Sequence, residues 1–419
     1  MLLALAACSG TPYDEGEDGS TAGSGAGGDE TLTIAIQAWM SDKLYLNQMA
    51  ESFEEETGVT VNLVEYADNQ ALSNFALQWS QGTSNQDIVV VDGASTAVQF
   101  LTRGLIIDFN TTDFFTGDLA KENFVGESLS FTELDGVQFA IPFGLEVYNI
   151  SANRTFFEEA DLLDADGNIP VPADWEELYE ISAALSEHTG GPGMTIQWGP
   201  NAVPTMLAVE QAARGDIFAD DGSTLTFDTP EMREILEIWR RGVEEGVFSV
   251  DTFANKDAGR SNFNAGGLPM LLETASRVPE AAPTIGVENA EVIAMPGSLE
   301  NGSFGFSAGV IIPTESENQE LALQFIREAM MSEHQVGAGQ EWGKLPVLTT
   351  YFDEIEADWK DDMYEFVRLS VPAPMYRDLP VIQERGKQML QEYLTGSTDV
   401  DGFLEQVEGM IADSNLGTQ

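Results

Sequence analysis

Cysteine is nearly absent from this sequence, since Cys8 is the only one among 419 residues. A single thiol excludes an intrachain disulfide and a metal site built from cysteines. Histidine is almost as rare, and His188 and His334 lie far apart in the chain. Zinc and iron sites rest mainly on these two residue types, so neither a metal nor a cofactor is predicted.

Positive charge is also scarce: 18 lysines and arginines stand against 71 aspartates and glutamates, for a net charge of −53. Nucleic acids and anionic membrane surfaces would repel such a chain, so binding to nucleic acid is not predicted. An acidic surface of this kind repels itself in dilute buffer and is screened in salt, where the Debye length falls to about 3 Å at 1 M. The composition favours a protein of a halophilic source, and an ordinary acidic secreted protein is the alternative.

Long apolar runs are missing too, because no stretch reaches the roughly 18–20 apolar residues that span a bilayer. The short apolar run at the start ends in Leu5-Ala-Ala-Cys8, which resembles the lipobox of bacterial lipoproteins. That resemblance implies a signal-peptide remnant at 1–8 and a lipidated Cys8 that anchors the protein outside the cytoplasm. The segment 9–30 is rich in glycine, serine and acidic residues, which predicts a flexible tether.

The length of 419 residues exceeds the roughly 250–300 residues at which a single core stops growing, so two lobes are expected. From Thr31 onward, strand and helix patterns alternate, which predicts an α/β lobe with a doubly wound sheet. The predicted strands are 31–36, 59–64 and 87–92, and the predicted helices are 46–57, 72–81, 98–103 and, further on, 229–241.

A bend in the segment 134–148 indicates how two lobes would be connected. An apolar strand runs into Pro142-Phe-Gly144, and a second strand with Glu146 follows. A bend of this kind lets one strand leave a sheet and enter another body of the protein. A carboxylate just beyond the crossing suits ligand capture in a cleft. The alternative is an ordinary hairpin with a solvated glutamate.

Short motifs along the chain occur in the order of a known family. They are Phe-Glu-Glu-Glu-Thr-Gly-Val-Thr-Val at 53–61, Leu-Thr-Arg-Gly-Leu-Ile-Ile-Asp at 101–108, Asp-Gly-Val-Gln-Phe-Ala-Ile-Pro-Phe at 135–143, Pro-Ala-Asp-Trp-Glu-Glu-Leu at 172–178 and Gly-Lys-Leu-Pro-Val at 343–347. From about Leu32 to the C-terminus, the chain resembles the sugar-binding extracellular solute-binding proteins of ABC importers, typified by maltose-binding protein. It departs from them at Glu273 and Arg277, near which the family often has an aromatic residue.

This resemblance implies a two-lobed α/β fold of the type II periplasmic-binding-protein class, with two helix-flanked sheets joined by crossover hinge strands. The implied first lobe covers 31–143 plus 304–347, and the second covers 144–303 plus 348–419. The implied function is that of a monomer that captures a carbohydrate between its lobes and delivers it to ABC permease subunits. Closure of the hinge on the solute would be the state that the permease recognises.

A carbohydrate site needs aromatic platforms for the flat C–H faces of sugars and polar side chains for their hydroxyl groups. Residues of these types near strand ends and lobe crossings are the candidates for solute binding: Gln37, Trp39, Asp42, Asp92, Glu146, Glu273, Arg277, Trp342, Tyr376 and Arg377.

Structural roles are the alternatives for several of these candidates. Trp39 would instead cover the first helix, and Asp92 would cap the helix that follows its strand. Trp342 would lie in a core, while Glu273 and Arg277 would form surface salt bridges that contribute little.

A different solute and an enzymatic activity are the alternatives to carbohydrate capture. The same fold would also suit a polyamine, a polyol phosphate or a peptide. A glycoside-cleaving enzyme would need two carboxylates at a defined separation, and no segment indicates such a pair. The acidic stretch Asp164–Asn168 lacks the bidentate glutamate of a calcium loop, so a simple acidic turn is predicted there.

Overall fold

The structure is a computed structural model that describes residues 30–67, 69–220, 222, 224–375 and 379–413. Cys8, the tether up to residue 29, Tyr376 and Arg377 lie outside the described residues. Among the helices it describes, none combines the length and the apolar character that crossing a bilayer requires.

Within these ranges, most strands belong to one mixed sheet, and two form a short separate hairpin. The strands are β1 Thr31–Ile36, β2 Thr60–Glu65, β3 Ile88–Val91, β4 Glu133–Leu134, β5 Val137–Gln138, β6 Ile141–Asn153, β7 Met194–Ile196, β8 Phe248–Ser249, β9 Met270–Thr274, β10 Ala290–Ile293, β11 Phe304–Ile311 and β12 Val371–Pro372. Their order in the large sheet is β2-β1-β3-β11-β6-β9-β7-β8, with β10 also paired to β6 and β12 to β11.

Helices flank both halves of this sheet. They are α1 Ala38–Lys43, α2 Leu46–Thr57, α3 Asn69–Trp79, α4 Val98–Leu101, α5 Arg154–Glu159, α6 Trp175–Thr189, α7 Trp198–Arg214, α8 Pro230–Glu244, α9 Asp251–Ala254, α10 Ala258–Asn264, α11 Arg277–Ile285, α12 Ser298–Asn301, α13 Gln319–Met330, α14 His334–Trp342, α15 Thr349–Asp353, α16 Lys360–Leu369, α17 Leu379–Leu394 and α18 Val400–Asp413.

The alternation predicted for the first lobe is confirmed. Strand β1 pairs in parallel with both β2 and β3, as a doubly wound arrangement requires. Helix α2 ends at Gly58, whose φ of 75° is the left-handed conformation that glycine adopts without a steric penalty.

Helix α8 begins as its sequence predicts and ends later. Thr229 caps it, since its hydroxyl oxygen accepts a hydrogen bond of 3.1 Å from the backbone N–H of Met232. The end predicted at Gly242 is wrong, because α8 continues to Glu244. Gly242 instead provides space: a Cβ atom there would lie 2.3 Å from the ring of Phe248.

Strand β6 belongs to both halves of the sheet and confirms the predicted crossover. Its first part, 141–147, pairs with β11, and its second part, 148–152, pairs with β9. Strand β11 is a second crossing segment, since Phe304 packs among the apolar side chains of the second half and Val310 among those of the first. Leu345 lies on a third, which makes two backbone hydrogen bonds with Leu145, of 2.8 and 3.1 Å. The register between β6 and β11 shifts at Gly144, which is left without a partner.

Each half of the sheet has its own buried apolar cluster. One contains Ile34 and Val90, and the other contains Ile196 and Trp239. Two cores joined by crossover strands make a two-lobed type II fold. The lobe boundaries given above stay a prediction; the side chain of Phe352 in α15 packs in the cluster of the first half.

A substitution at Gly144 tests whether the backbone at the hinge has room for a larger residue. The φ of this glycine is 78°, and a Cβ atom would lie 2.9 Å from Leu44 Cδ2. Gly144→Ala is expected to lower the free energy of unfolding by more than the roughly 1–2 kcal/mol that a left-handed conformation costs a residue with a Cβ atom. Urea unfolding monitored by circular dichroism measures this change.

Gly104→Ala is the matched control, because Gly104 has a φ of 68° and no atom within 4 Å of the added Cβ. Gly104→Ala should lose only the unfolding free energy that the left-handed backbone conformation costs an alanine. Equal losses for the two variants would contradict a steric constraint at the hinge.

Candidate binding cleft

A cleft of about 560 Å³ lies beside the crossing strands. Clefts that hold small molecules commonly have volumes of roughly 300–1,000 Å³. Both halves of the molecule contribute to its walls: Trp39, Lys43 and Asp92 come from the first, Phe143, Glu146, Phe306 and Lys344 from the crossing segments, and Tyr148, Asn201, Arg260, Glu273 and Arg277 from the second.

Aromatic rings form part of these walls. Trp39 reaches the cleft because α1 begins directly after β1, and its indole N–H donates a hydrogen bond of 2.9 Å to Gln37 Oε1. Lys344 Nζ lies 4.9 Å from the centre of the Trp39 ring. Two further rings of the lining, those of Tyr148 and Phe306, lie 5.2 Å apart. The predicted platform residue Trp39 is therefore half-buried at the cleft and oriented by its neighbours.

The carboxylate of Glu146 is held by three side chains at the cleft. It forms an ion pair with Lys344. Its Oε1 accepts hydrogen bonds of 2.8 Å from the hydroxyls of both Thr274 and Ser276. Burial acts to raise the pKa of Glu146, but the charges of Lys344 and Arg277 and the hydrogen bonds outweigh it, so the pKa falls to about 2. Glu146 is thus a fixed anion at neutral pH.

Asp92 differs from Glu146 because its carboxylate forms no ion pair or hydrogen bond within the described part of the chain. Asp92 is exposed at the cleft, but the protein atoms around it raise its pKa by desolvation, while the charge of Lys344 acts in the opposite direction. The capping role is not observed, since Gly93 occupies the N-cap position of the next helical turn. Asp92 leaves its acceptor oxygens available to a solute.

Glu273 and Arg277 are buried at the cleft, with 1% and 6% of their surface exposed, so they do not form surface salt bridges. Each is paired, although not with the other. Glu273 accepts hydrogen bonds of 2.8 and 3.0 Å from Arg260 Nε, and Arg277 pairs with Glu280. Glu280 also binds Lys43, which joins α11 to α1.

The remaining candidates lie beside the cleft or away from it. Gln37 does not line the wall but orients Trp39. Asp42 is exposed on α1 and does not line the cleft. Lys43 does line it, because a residue four positions after Trp39 lies on the same face of the helix. Trp342 lines a separate groove with Trp359, and Lys43 Nζ lies 4.8 Å from the centre of the Trp342 ring.

Several wall residues were missed by the sequence interpretation. Lys344 lies in the Gly-Lys-Leu-Pro motif that predicted a crossing, so its proximity to Glu146 could have been inferred. Tyr148 also follows Glu146 at the spacing of two that places strand residues on one face. Nothing in the local sequence distinguishes Arg260 from other helix residues, and only the tertiary fold brings it to Glu273.

Charges are balanced around the cleft, in contrast to the whole chain. The lining contains three carboxylates, Asp92, Glu146 and Glu273, and four cations, Lys43, Arg260, Arg277 and Lys344. Glu280 does not line the cleft, but it pairs with both Lys43 and Arg277 and so completes the balance. The walls therefore present many hydrogen-bonding groups with little net field.

No cluster of three or more histidine, cysteine, aspartate or glutamate side chains suited to a metal ion occurs in the described ranges. In the acidic turn at 164–168, Asp164 Oδ1 accepts hydrogen bonds of 2.9 and 2.8 Å from the backbone N–H groups of Asp166 and Asn168. This local bonding is that of a simple acidic turn.

Residues 48–364 match the family model described as bacterial extracellular solute-binding protein. The chain belongs to this family. A curated binding protein of Brucella abortus is 23% identical to it over 369 residues, which cover 86% of this chain and 85% of the relative. Members of the family bind and carry solutes, so this solute-binding protein is not an enzyme.

Solved structures share its fold. The GacH receptor of Streptomyces glaucescens is 18% identical with a TM-score of 0.76, and the match covers 93% of this chain and 99% of that one. Maltose-bound MalE3 of T. maritima is 15% identical with a TM-score of 0.76, covering 91% and 99%. These likenesses confirm the two-lobed fold predicted from the sequence.

Glu146→Gln tests the ion pair of this solute-binding protein. At pH 7 the variant is expected to lose roughly 3–5 kcal/mol of unfolding free energy, because it leaves the buried ammonium group of Lys344 unpaired. Because folding lowers the pKa of Glu146, its ionised carboxylate stabilises the wild-type fold. This stabilisation is fully present above the ordinary pKa of 4.5 and is lost as the pH falls toward the folded-state pKa of about 2. Denaturant unfolding between pH 7 and the acid limit should therefore show the two proteins converging.

Glu365→Gln is the control, since Glu365 pairs with Arg368 on an exposed face. It should leave the stability nearly unchanged at every pH. If the unfolding free energies of wild type and Glu146→Gln differed by the same amount from pH 7 down to about pH 2, the lowered pKa of Glu146 would be contradicted.

Proposed function

We propose that this protein captures a carbohydrate in the cleft between its lobes and delivers it, unaltered, to the permease of an ABC transporter. The observation that carries this proposal is the combination of aromatic faces with prearranged polar groups in one cleft. Trp39 and Tyr148 supply flat apolar surfaces, and the Asp92 carboxylate supplies free acceptors beside them. Sugars need these two kinds of surface together.

The position of the cleft supports capture by hinge closure. Asp92 belongs to the first half and Glu273 to the second, and both line the same cleft beside strand β6. A solute that contacts both walls stabilises the closed arrangement by its differential affinity for that state. The permease would then recognise the closed arrangement of the two lobes.

The balance of charge favours a neutral polyhydroxylated solute over the alternatives. A polyamine would gain most from an acidic cleft, and a polyol phosphate from a basic one. In this cleft the ion pairs Glu146–Lys344 and Glu273–Arg260 leave little field of either sign. The GacH receptor was solved in complex with acarbose, and MalE3 with maltose, which are carbohydrates or close analogues.

The location outside the cytoplasm follows from the family, and the anchor is part of this proposal. Lipidation of Cys8 would tether the protein to the cell membrane, with 9–30 as a flexible spacer. The tethered chain would act as a monomer and meet its permease at the membrane surface.

Trp39→Ala tests the carbohydrate assignment. Isothermal titration of the mature chain with a panel of mono- and oligosaccharides is expected to find at least one sugar that binds. Loss of the platform should then weaken that binding roughly tenfold or more, because a stacked ring contributes beyond its buried area.

Phe115→Ala is the control, since Phe115 is a half-buried aromatic residue that does not line the cleft. It should leave the affinity unchanged. A panel without any binding sugar, or equal losses for both variants, would contradict the proposal.

The net charge of −53 predicts a fold that is stabilised by salt. Screening shortens the range of repulsion between surface carboxylates, so the melting temperature should rise from low to molar NaCl. Differential scanning calorimetry measures this shift. A melting temperature that does not move would contradict adaptation to a saline medium.

A further inference from the structure

A second concave surface lies apart from the cleft. This groove has a volume of about 530 Å³ and lies between helix α11, the end of helix α14 and the segment 356–359. Among the described residues, none lines both the groove and the cleft. Its volume is within the roughly 300–1,000 Å³ that is common for small-molecule sites, and capture of a sugar in the cleft gives it no role.

Apolar side chains that remain accessible to solvent line this groove. Val287 leaves 67% of its surface exposed, and Trp342 is half-buried. Further apolar residues of the lining are Pro279, Pro283 and Trp359. The face of a tryptophan ring attracts a cation, and Trp342 already does so, because Lys43 Nζ lies 4.8 Å from the centre of its ring.

The charged groups that line the groove are acidic. They are Glu280, Glu341, Glu356 and Asp358, and the described lining contains no lysine, arginine or histidine. Glu280 is compensated by its two ion pairs. The other three residues are exposed, and their carboxylates form no ion pair within the described ranges. The groove therefore differs from the cleft, where charges of both signs balance.

This combination of groups favours one chemical class of ligand. Carboxylates without neighbouring cations attract a molecule that carries several positive charges. The apolar faces beside them would contact hydrocarbon segments that separate those charges. An aliphatic polyamine has both features, since methylene chains separate its ammonium groups. A bare metal ion would leave the apolar faces unused, and a neutral sugar would leave the carboxylates without a counter-charge.

We propose that the groove between α11 and α14 is a second ligand site and that its ligand is an aliphatic polyamine. The ammonium groups pair with Glu341, Glu356 and Asp358, and the methylene segments lie against Trp342 and Val287. This site is additional to the one in the cleft, and it does not depend on which solute the cleft captures.

The test is isothermal titration of the mature chain with spermidine in about 0.15 M NaCl, where the Debye length is about 8 Å. Saturable binding is expected. Glu356→Gln combined with Asp358→Asn should weaken it roughly tenfold or more, because two charges that face the ammonium groups are removed. Val287→Arg should weaken it as well, since it places a competing cation in the groove.

Each groove variant has a control that changes the net charge equally. Asp353→Asn combined with Glu354→Gln removes two exposed carboxylates from the same segment that do not line the groove. Val171→Arg matches Val287→Arg, because Val171 is also an exposed valine, with 52% of its surface accessible. Both controls should bind spermidine within about threefold of wild type, since distant charges are largely screened at this ionic strength.

Melting curves of all variants show whether each is folded. Absence of saturable spermidine binding, or equal losses for the folded groove variants and their controls, overturns the polyamine site alone. Loss of spermidine binding in Asp92→Asn, with the groove variants unaffected, would place the amine in the cleft. That result would overturn this proposal and the carbohydrate assignment together.

Discussion

One continuous strand constrains both lobes of this protein. Strand β6 pairs with β11 in its first half and with β9 in its second, so a change in the angle between the two halves has to bend or twist this strand. Gly144 has a positive φ and no partner on β11, so the pairing between β6 and β11 is interrupted at this residue. Glu146 follows two residues later and ties the strand to Lys344 on a third crossing segment. The hinge and the floor of the cleft are thus the same few residues.

The electrostatics of the cleft follow from this arrangement. Glu273, Arg277 and Lys344 are buried near the hinge and Glu146 is half-buried, and a buried charge is stable only when it is paired and hydrogen-bonded. Glu146 and Glu273 meet this requirement through Lys344 and Arg260, which leaves a wall of oriented donors and acceptors with little net charge. The excess acidity of the chain is therefore a property of its outer surface. The two regions would respond differently to salt, since buried pairs are screened less than exposed charges.

Much of the fold could be predicted from the sequence because its signals are local. Strand β1 and helix α2 have the predicted bounds, and the bend at Pro142–Gly144 lies at the crossing that the sequence predicted. The family motifs then supplied the connection between the lobes. Gly242 shows the limit of such signals: a glycine in a helical pattern can end the helix or make room for a neighbour, and only the contact with Phe248 decides.

The candidate site was predictable to a smaller extent. Trp39, Asp92 and Glu146 reach the cleft because each directly follows a strand or a crossing, where the chain position alone implies the direction. Asp42 is exposed and Trp342 lines a separate groove. The direction of a side chain on a short helix depends on how that helix packs, which the local sequence does not determine. Pairings such as Glu273 with Arg260 depend on the second lobe as a whole. They carry no local signature.

Small-angle X-ray scattering with and without a bound sugar tests the central claim most directly. If two lobes hinge about β6 and close on a carbohydrate, the radius of gyration falls when a saturating sugar is added and returns when it is dialysed away. A sugar that binds in the cleft without any change in the radius of gyration would contradict closure about this hinge.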